Sequence, residues 1–301
     1  MIDWSDLRVF LAVARAGSTL QAARALGINQ TTVSRRIQTL EAALGLTLFV
    51  RRNTGYSLTA HGETLVEAAA RVEGDVEAFA ANAERLRRLS GGAIRVTAPE
   101  SMFAHLLAPI FRAYRRDHPE LRIEPISSER YLDLERGEAD IAFRSTKTPV
   151  EERLIARRLP DMAWTLYCSP EYVAENGAPG SPEELKNHSV LVYDSALEQS
   201  RWGRWLAVHA DPERIAARSN SVTNMVGLIR ASLGVGLLPC LEGDTAALLR
   251  CIDPPPPELA GAWWLLMTPE VHNIPAVRRF TDFAVAELRR QRRFVAGERC
   301  G

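Results

Sequence analysis

The sequence predicts an α/β protein headed by a winged helix-turn-helix. Three observations carry this reading. Residues 18–44 form two capped helical patterns about a glycine turn. Residues 60–89 contain no proline and hold a strict apolar heptad. Beyond Ser90-Gly91-Gly92, strand-like and helix-like segments alternate, the pattern of an α/β domain with a parallel sheet.

The head is built first. Residues 3–16 read as a helix with Leu7, Phe10, Leu11 and Ala14 on one face. Ser18 then caps a second helix, with Gln21 three positions on completing a capping box. Ala22, Ala23 and Leu26 give that helix a narrow apolar face, and Gly27 ends it. Ile28 is expected in the core, and Asn29 is expected to cap the third helix. There Val33, Ile37, Leu40 and Leu44 recur at four, three and four residues, one buried stripe. The opposite face carries Gln30, Thr31, Ser34, Arg35 and Gln38, all donors and none acidic. Arginine can bond a guanine edge with two donors, glutamine can do the same for adenine, and serine or threonine suits a base or a phosphate. The alternative is a solvated polar face on an ordinary helix pair. After Gly45, residues 46–50 read as a strand, residues 51–56 as a basic turn, and residues 57–59 as the return strand. Arg51 and Arg52 are thereby offered to phosphates or a narrow minor groove.

Charge supports a nucleic-acid contact at this end. The first sixty residues hold seven arginines against Asp3, Asp6 and Glu41, a net +4, so the rest of a neutral chain carries −4. With 46% hydrophobic and 25% charged residues, the 301-residue chain has the composition of a folded soluble protein of two or three domains. No apolar run reaches the ~18 residues of a membrane span. The start, MIDWSDLRVF, lacks the basic flank of a secretory signal, so the expected location is cytoplasmic. Cys168, Cys240, Cys251 and Cys300 show no metal spacing and read as free thiols. No cofactor is expected.

In residues 60–89, Leu65, Ala69, Val72, Val76, Phe79, Ala83 and Leu86 form the seam of a candidate coiled coil, ~45 Å long at 1.5 Å per residue. The alternative is a helix folded on its own domain. Gly74 weakens it by ~1 kcal/mol relative to alanine. The domain that follows is expected to hold strands at 93–97, 121–126, 139–143, 154–159, 164–168, 190–193, 215–218 and 263–267. Helices are expected at 101–116, 132–136 and 274–290. Ligands of such sheets lie beyond strand C-termini, which selects Pro99-Glu100-Ser101-Met102, Ser127-Ser128 and Arg144-Ser145, with simple helix caps as the alternative for the serines. Arg144 at a strand end points to an organic anion, with surface pairing as the alternative.

These residues together resemble the LysR-type transcriptional regulators. The likeness rests on Asp6-Leu7-Arg8-Val9-Phe10, Ala16-Gly17-Ser18, Ala22-Ala23, Val33-Ser34-Arg35-Arg36-Ile37, Leu40-Glu41, Leu44-Gly45, Leu48-Phe49, Arg51-Arg52, and Leu58-Thr59 with Gly62. ERGEADIAF at 135–143 and the 234–239 segment extend it. The resemblance implies a winged helix-turn-helix over 1–60, a linker dimerisation helix over 61–90, and a two-lobed periplasmic-binding-protein-like effector domain over 91–301. Its first lobe would hold about 91–160 and 267–295, its second about 161–266. It further implies DNA contacts from Ser18, Gln30, Thr31, Ser34, Arg35, Arg36, Gln38, Arg51 and Arg52. The effector cleft would be lined by Ser101, Met102, Ser127, Ser128, Arg144, Thr223, Leu238 and Pro239. The implied partners are double-stranded promoter DNA, a small-molecule effector, a second copy in a homodimer or homotetramer, and RNA polymerase. Asn29 and Thr31 depart from the serine and proline usual there, which bears on base preference.

Three alternatives stay open. A solute-binding protein for uptake would need an export signal. An enzyme would need a nucleophile with a base, yet the six histidines are scattered and none sits in a metal or nucleophile-elbow motif. A regulator that no longer needs a ligand would look the same in sequence.

Overall fold

The computed structural model describes residues 2–52, 55–128, 130–145 and 153–298. The chain divides into two compact units, residues 1–83 and 84–301, each taken here by itself.

In the first unit, α1 (Trp4–Ala16), α2 (Thr19–Leu26) and α3 (Gln30–Leu44) form a three-helix core. Asp3 caps α1 through the Ser5 N–H at 2.7 Å, and Ser18 caps α2 by accepting from the Gln21 N–H. Gly27, left-handed at φ 66°, ends α2. The Gly27 N–H bonds Arg24 O and the Ile28 N–H bonds Ala23 O, the paired bonds of a Schellman close. That geometry turns the Ile28 side chain outward, 38% exposed, so the expected core placement is wrong. Asn29 begins α3 without a side-chain cap bond, so its expected capping role is not made. Val33, Ile37 and Leu40 are buried as the stripe requires, while Leu44 is half-buried. Of the expected α1 face, Phe10 and Leu11 are buried and Leu7 and Ala14 are half-buried against the same core, which Val9 and Val13 also enter.

β1 (Phe49–Arg52) and β2 (Gly55–Leu58) pair antiparallel, with Arg51 opposite Tyr56. Arg51 and Arg52 are therefore strand residues, not turn residues, and Asn53 and Thr54 lie outside the described residues. The wing is tied inward by the Tyr56 N–H on Gly17 O at 2.8 Å. A Cβ at Gly55 would stand 2.5 Å from that same oxygen, so only glycine fits this approach. At the wing root, Glu41 Oε1 accepts from the Leu48 and Phe49 N–H groups.

The helix α4 (Ala60–Ser90) runs unbroken for 31 residues. Along its expected seam only Ala69 is buried and Leu65 half-buried. Val72, Val76, Phe79 and Leu86 are 39%, 38%, 76% and 59% exposed. Its last turns belong to the second unit. Arg85 Nη1 donates to Leu134 O at 3.1 Å, and buried Arg88 pairs with fully buried Asp140 at 2.7 Å.

The second unit holds two five-stranded sheets. β3 (Ala93–Ala98) leads through α5 (Glu100–Met102), a π-helical turn (Phe103–Leu107) and α6 (Ala108–Asp117) to β4 (Arg122–Ser127). β5 (Ile141–Ser145) and β6 (Ile155–Arg158) follow. The second lobe runs β7 (Trp164–Cys168), α7 (Pro170–Asn176), β8 (Val190–Tyr193), α8 (Ser195–Glu198), α9 (Arg201–His209), β9 (Ile215–Ser219), α10 (Val222–Arg230), β10 (Val235–Pro239), α11 (Cys240–Thr245) and β11 (Leu249–Arg250). β12 (Trp263–Met267), α12 (Pro269–His272), α13 (Pro275–Arg290) and α14 (Arg292–Val295) complete the chain.

The strand orders are β4-β3-β5-β12-β6 and β11-β7-β10-β8-β9. β12 is antiparallel to β5 and β6, and β10 is antiparallel to β7. The sheets are thus mixed, not parallel as expected, because a strand returning from the other lobe enters from the opposite end. β12 also moves the expected lobe boundary at 267 back before Trp263. The helix expected at 132–136 is not formed; residues 134–137 are a turn. The Asp133 N–H bonds Glu138 and the Arg136 N–H bonds Asp133, which closes the chain locally. α13 packs on α6 through Phe280 against Phe111 and Tyr114, at 5.8 and 5.2 Å.

Candidate nucleic-acid interface and ligand cavity

The stripe that buries Val33, Ile37 and Leu40 turns the other side of α3 outward. Gln30, Thr31, Arg35 and Gln38 are exposed and Ser34 is half-buried. Gln30 Nε2 donates to Thr19 Oγ1 at 2.9 Å, which holds this side chain at the α2–α3 corner. Arg35, Arg51 and Arg52 are exposed, and among the described residues no carboxylate pairs with them. Two expected contacts are differently engaged. Arg36 Nη1 lies 2.8 Å from buried Asp6 on α1, so it braces two helices. Ser18 is half-buried and occupied as a cap.

The second unit contains a cavity of about 460 Å³. Ser101, Met102, Arg144 and Pro239 line it, as the sequence led us to expect. Ser127, Ser128, Thr223 and Leu238 do not. Ser127 ends β4 exposed, and Ser128 Oγ donates to Arg130 O. Leu238 is fully buried in β10, while its neighbour Pro239 takes the cavity side. Thr223 faces a separate polar depression with Asp194, Arg218 and Asn224, and donates to Glu100 Oε2 at 3.3 Å. The sequence reading missed Tyr131, Met162, Trp164 and Trp202, which give the cavity its apolar walls.

Arg144 is 3% exposed. Its Nη2 donates to Thr97 Oγ1 at 2.8 Å and Arg130 O at 3.1 Å, its Nη1 to Phe143 O, and its guanidinium sits 5.8 Å from the Tyr131 ring centre. It is a fixed cation in a cleft wall. Trp164 and Trp202 stack at 4.1 Å, and Trp202 Nε1 donates to Leu259 O. Among the described residues, Glu100 with Thr223, and His105 Nε2 with Glu242 Oε2 at 3.2 Å, join the lobes. Burial pushes the Glu242 carboxyl above its ordinary range, with His105 opposing.

Residues 4–63 match the model of the bacterial regulatory helix-turn-helix protein, lysR family, and residues 87–289 that of the LysR substrate binding domain. The chain belongs to the LysR family. It is a LysR-type transcriptional regulator, with a helix-turn-helix domain for DNA and a substrate-binding domain. Among LysR-type relatives, an HTH-type transcriptional regulator of Xanthomonas campestris is 29% identical over 300 residues, covering 95% of this chain and 86% of its own. CrgA of Neisseria meningitidis serogroup C is 32% identical over 244 residues, or 81% of this chain and 78% of CrgA. The solved structure of CrgA from Neisseria meningitidis aligns with a TM-score of 0.56 at 26% identity, covering 96% of this chain and 99% of that one. Full-length CbnR, solved with its target DNA, shares the fold with a TM-score of 0.59 at 20% identity, covering 95% and 100%. No helix among the described residues is long and apolar enough to cross a membrane.

Proposed function

We propose that this LysR-type regulator reads promoter DNA with Gln30, Thr31, Ser34, Arg35 and Gln38 in the major groove. Arg51 and Arg52 hold the wing on phosphates. A small organic anion in the cavity beside Arg144 shifts the balance between lobe arrangements, because it binds one of them more tightly. The chain works as a homodimer or homotetramer in the cytoplasm, catalyses no reaction, and meets RNA polymerase on the promoter. The observation that carries this reading is the outward face of α3. It is rich in donors, free of acids, and has exposed arginines on the wing of the same unit.

The test begins with duplexes that the full-length protein selects from a random pool. Arg51→Ala is expected to weaken binding to selected and scrambled duplexes alike and to lower the salt slope by about one. An unchanged salt slope would remove the wing from the interface. In parallel, organic anions are screened for a rise in melting temperature. Stabilisation by neutral or cationic compounds alone would contradict the anion assignment.

A further inference from the structure

The second lobe holds a pair of thiols that DNA reading and the cavity leave unused. Cys168 ends β7, and Cys251 directly follows β11. Leu249 pairs with Cys168 across the ladder, and the Cys251 N–H donates to Leu166 O at 2.8 Å. Cys251 Sγ stands 3.3 Å from Cys168 Sγ, donating to it, although 83 residues separate them in sequence. We infer that Cys168 and Cys251 form a reversible dithiol–disulfide site that responds to a hydroperoxide.

Place, chemistry and cover all support this. The two sulfurs need to close by little more than an ångström to reach the ~2.05 Å of a disulfide bond. The S–H bond from Cys251 draws the Cys168 thiol below its ordinary range, so the thiolate character that oxidation requires rests on Cys168. Cys168 is fully buried and Cys251 partly exposed. The strand that leads into Cys251 and pairs beside Cys168 is β11, two residues long and at the edge of its sheet, the kind of margin that opens locally before the core does. A metal role has no support, since the described residues offer no cluster of three metal-ligating groups. Cys240 is the contrast, a buried thiol pushed up to about 11 by burial.

The step balances. The Cys168 thiolate attacks one peroxide oxygen, the O–O bond breaks, and hydroxide leaves, giving a sulfenic acid. Cys251 then loses its proton and attacks the Cys168 sulfur. The S–O bond breaks and water departs. Two thiols and one hydrogen peroxide give one disulfide and two waters. The bond would tie the residue after the edge strand to the end of β7, next to Ser169, the cap of α7, and restrain the unfolded chain through a long loop.

The experiment treats the folded full-length protein with hydrogen peroxide, alkylates the remaining thiols under denaturing conditions, and measures intact mass and linked peptides. The expected result is the loss of two alkylatable thiols and two hydrogens, with one peptide joining Cys168 to Cys251. The melting temperature should rise, and dithiothreitol should reverse everything. In Cys251→Ser the linked peptide should vanish and dimedone should trap a sulfenic acid on Cys168. If wild-type Cys168 and Cys251 both stay alkylatable after peroxide, or if either links instead to Cys240 or Cys300, the inference is overturned.

Discussion

Arg35 and Arg36 are neighbours in sequence with different partners. Arg35 faces outward without a carboxylate partner among the described residues, while Arg36 holds the buried carboxylate of Asp6. Arg36→Ala would strand that charge, and a buried acceptor left unsatisfied costs about 1–3 kcal/mol. Urea denaturation of the isolated variant should show a loss of that size, and a stability equal to wild type would show that Asp6 is solvated. Glu242 gives a pH prediction. Well below pH 4.5, the ordinary glutamate value, its carboxyl is protonated in folded and unfolded chains alike. As pH climbs from there to the raised folded value, the unfolded chain releases a proton that the folded chain keeps. Stability from this group therefore falls with rising pH. Glu242→Gln should lose less stability than the native chain between pH 4.5 and neutrality. Identical pH slopes in urea titrations would contradict the buried, disfavoured carboxylate.

The helix α4 displays Val72, Val76 and Phe79 to solvent in a single copy, and Phe79 is 76% exposed. Such a stripe is stable when a second helix covers it. Burying a phenylalanine is worth about 1.5–3 kcal/mol, so Phe79→Lys should weaken self-association roughly tenfold or more. Sedimentation velocity of the full chain checks this, and an unchanged oligomer would place the interface elsewhere. Elements governed by neighbours in sequence were legible. Ser18 and Gly27 are local punctuation, and the helix they bound begins and ends there. The direction of β12 was not legible, because it depends on a partner strand more than a hundred residues away. The helix expected at 132–136 misled for a related reason. Its residues favour helix, but side-chain bonds between Asp133 and Glu138 close the backbone first.

At the scale of the molecule, the outward polar face proposed for DNA was easier to locate than the cavity lining. One helix supplies α3's polar face, so its spacing reveals it. The cavity draws Trp164 from β7, Trp202 from α9 and Tyr131 from a loop, and only the fold brings these together. Half of the expected cleft residues lie elsewhere because a strand end gives a neighbourhood and not a side-chain direction. A ligand that binds only the folded state at a hundred times its Kd should stabilise the chain by about 2.7 kcal/mol. Arg144→Met, compared with its own ligand-free melting temperature, should lose that shift for organic anions. A retained shift would separate Arg144 from the ligand. The claim on which the regulator reading rests is the outward face of α3. Its most direct measurement is fluorescence anisotropy of Arg35→Ala and wild type on a duplex the wild type has selected and on a scrambled one. Arg35→Ala should lose about 1–3 kcal/mol on the selected duplex and almost nothing on the scrambled one. If the ratio between the two duplexes is unchanged, α3 does not read sequence through this face.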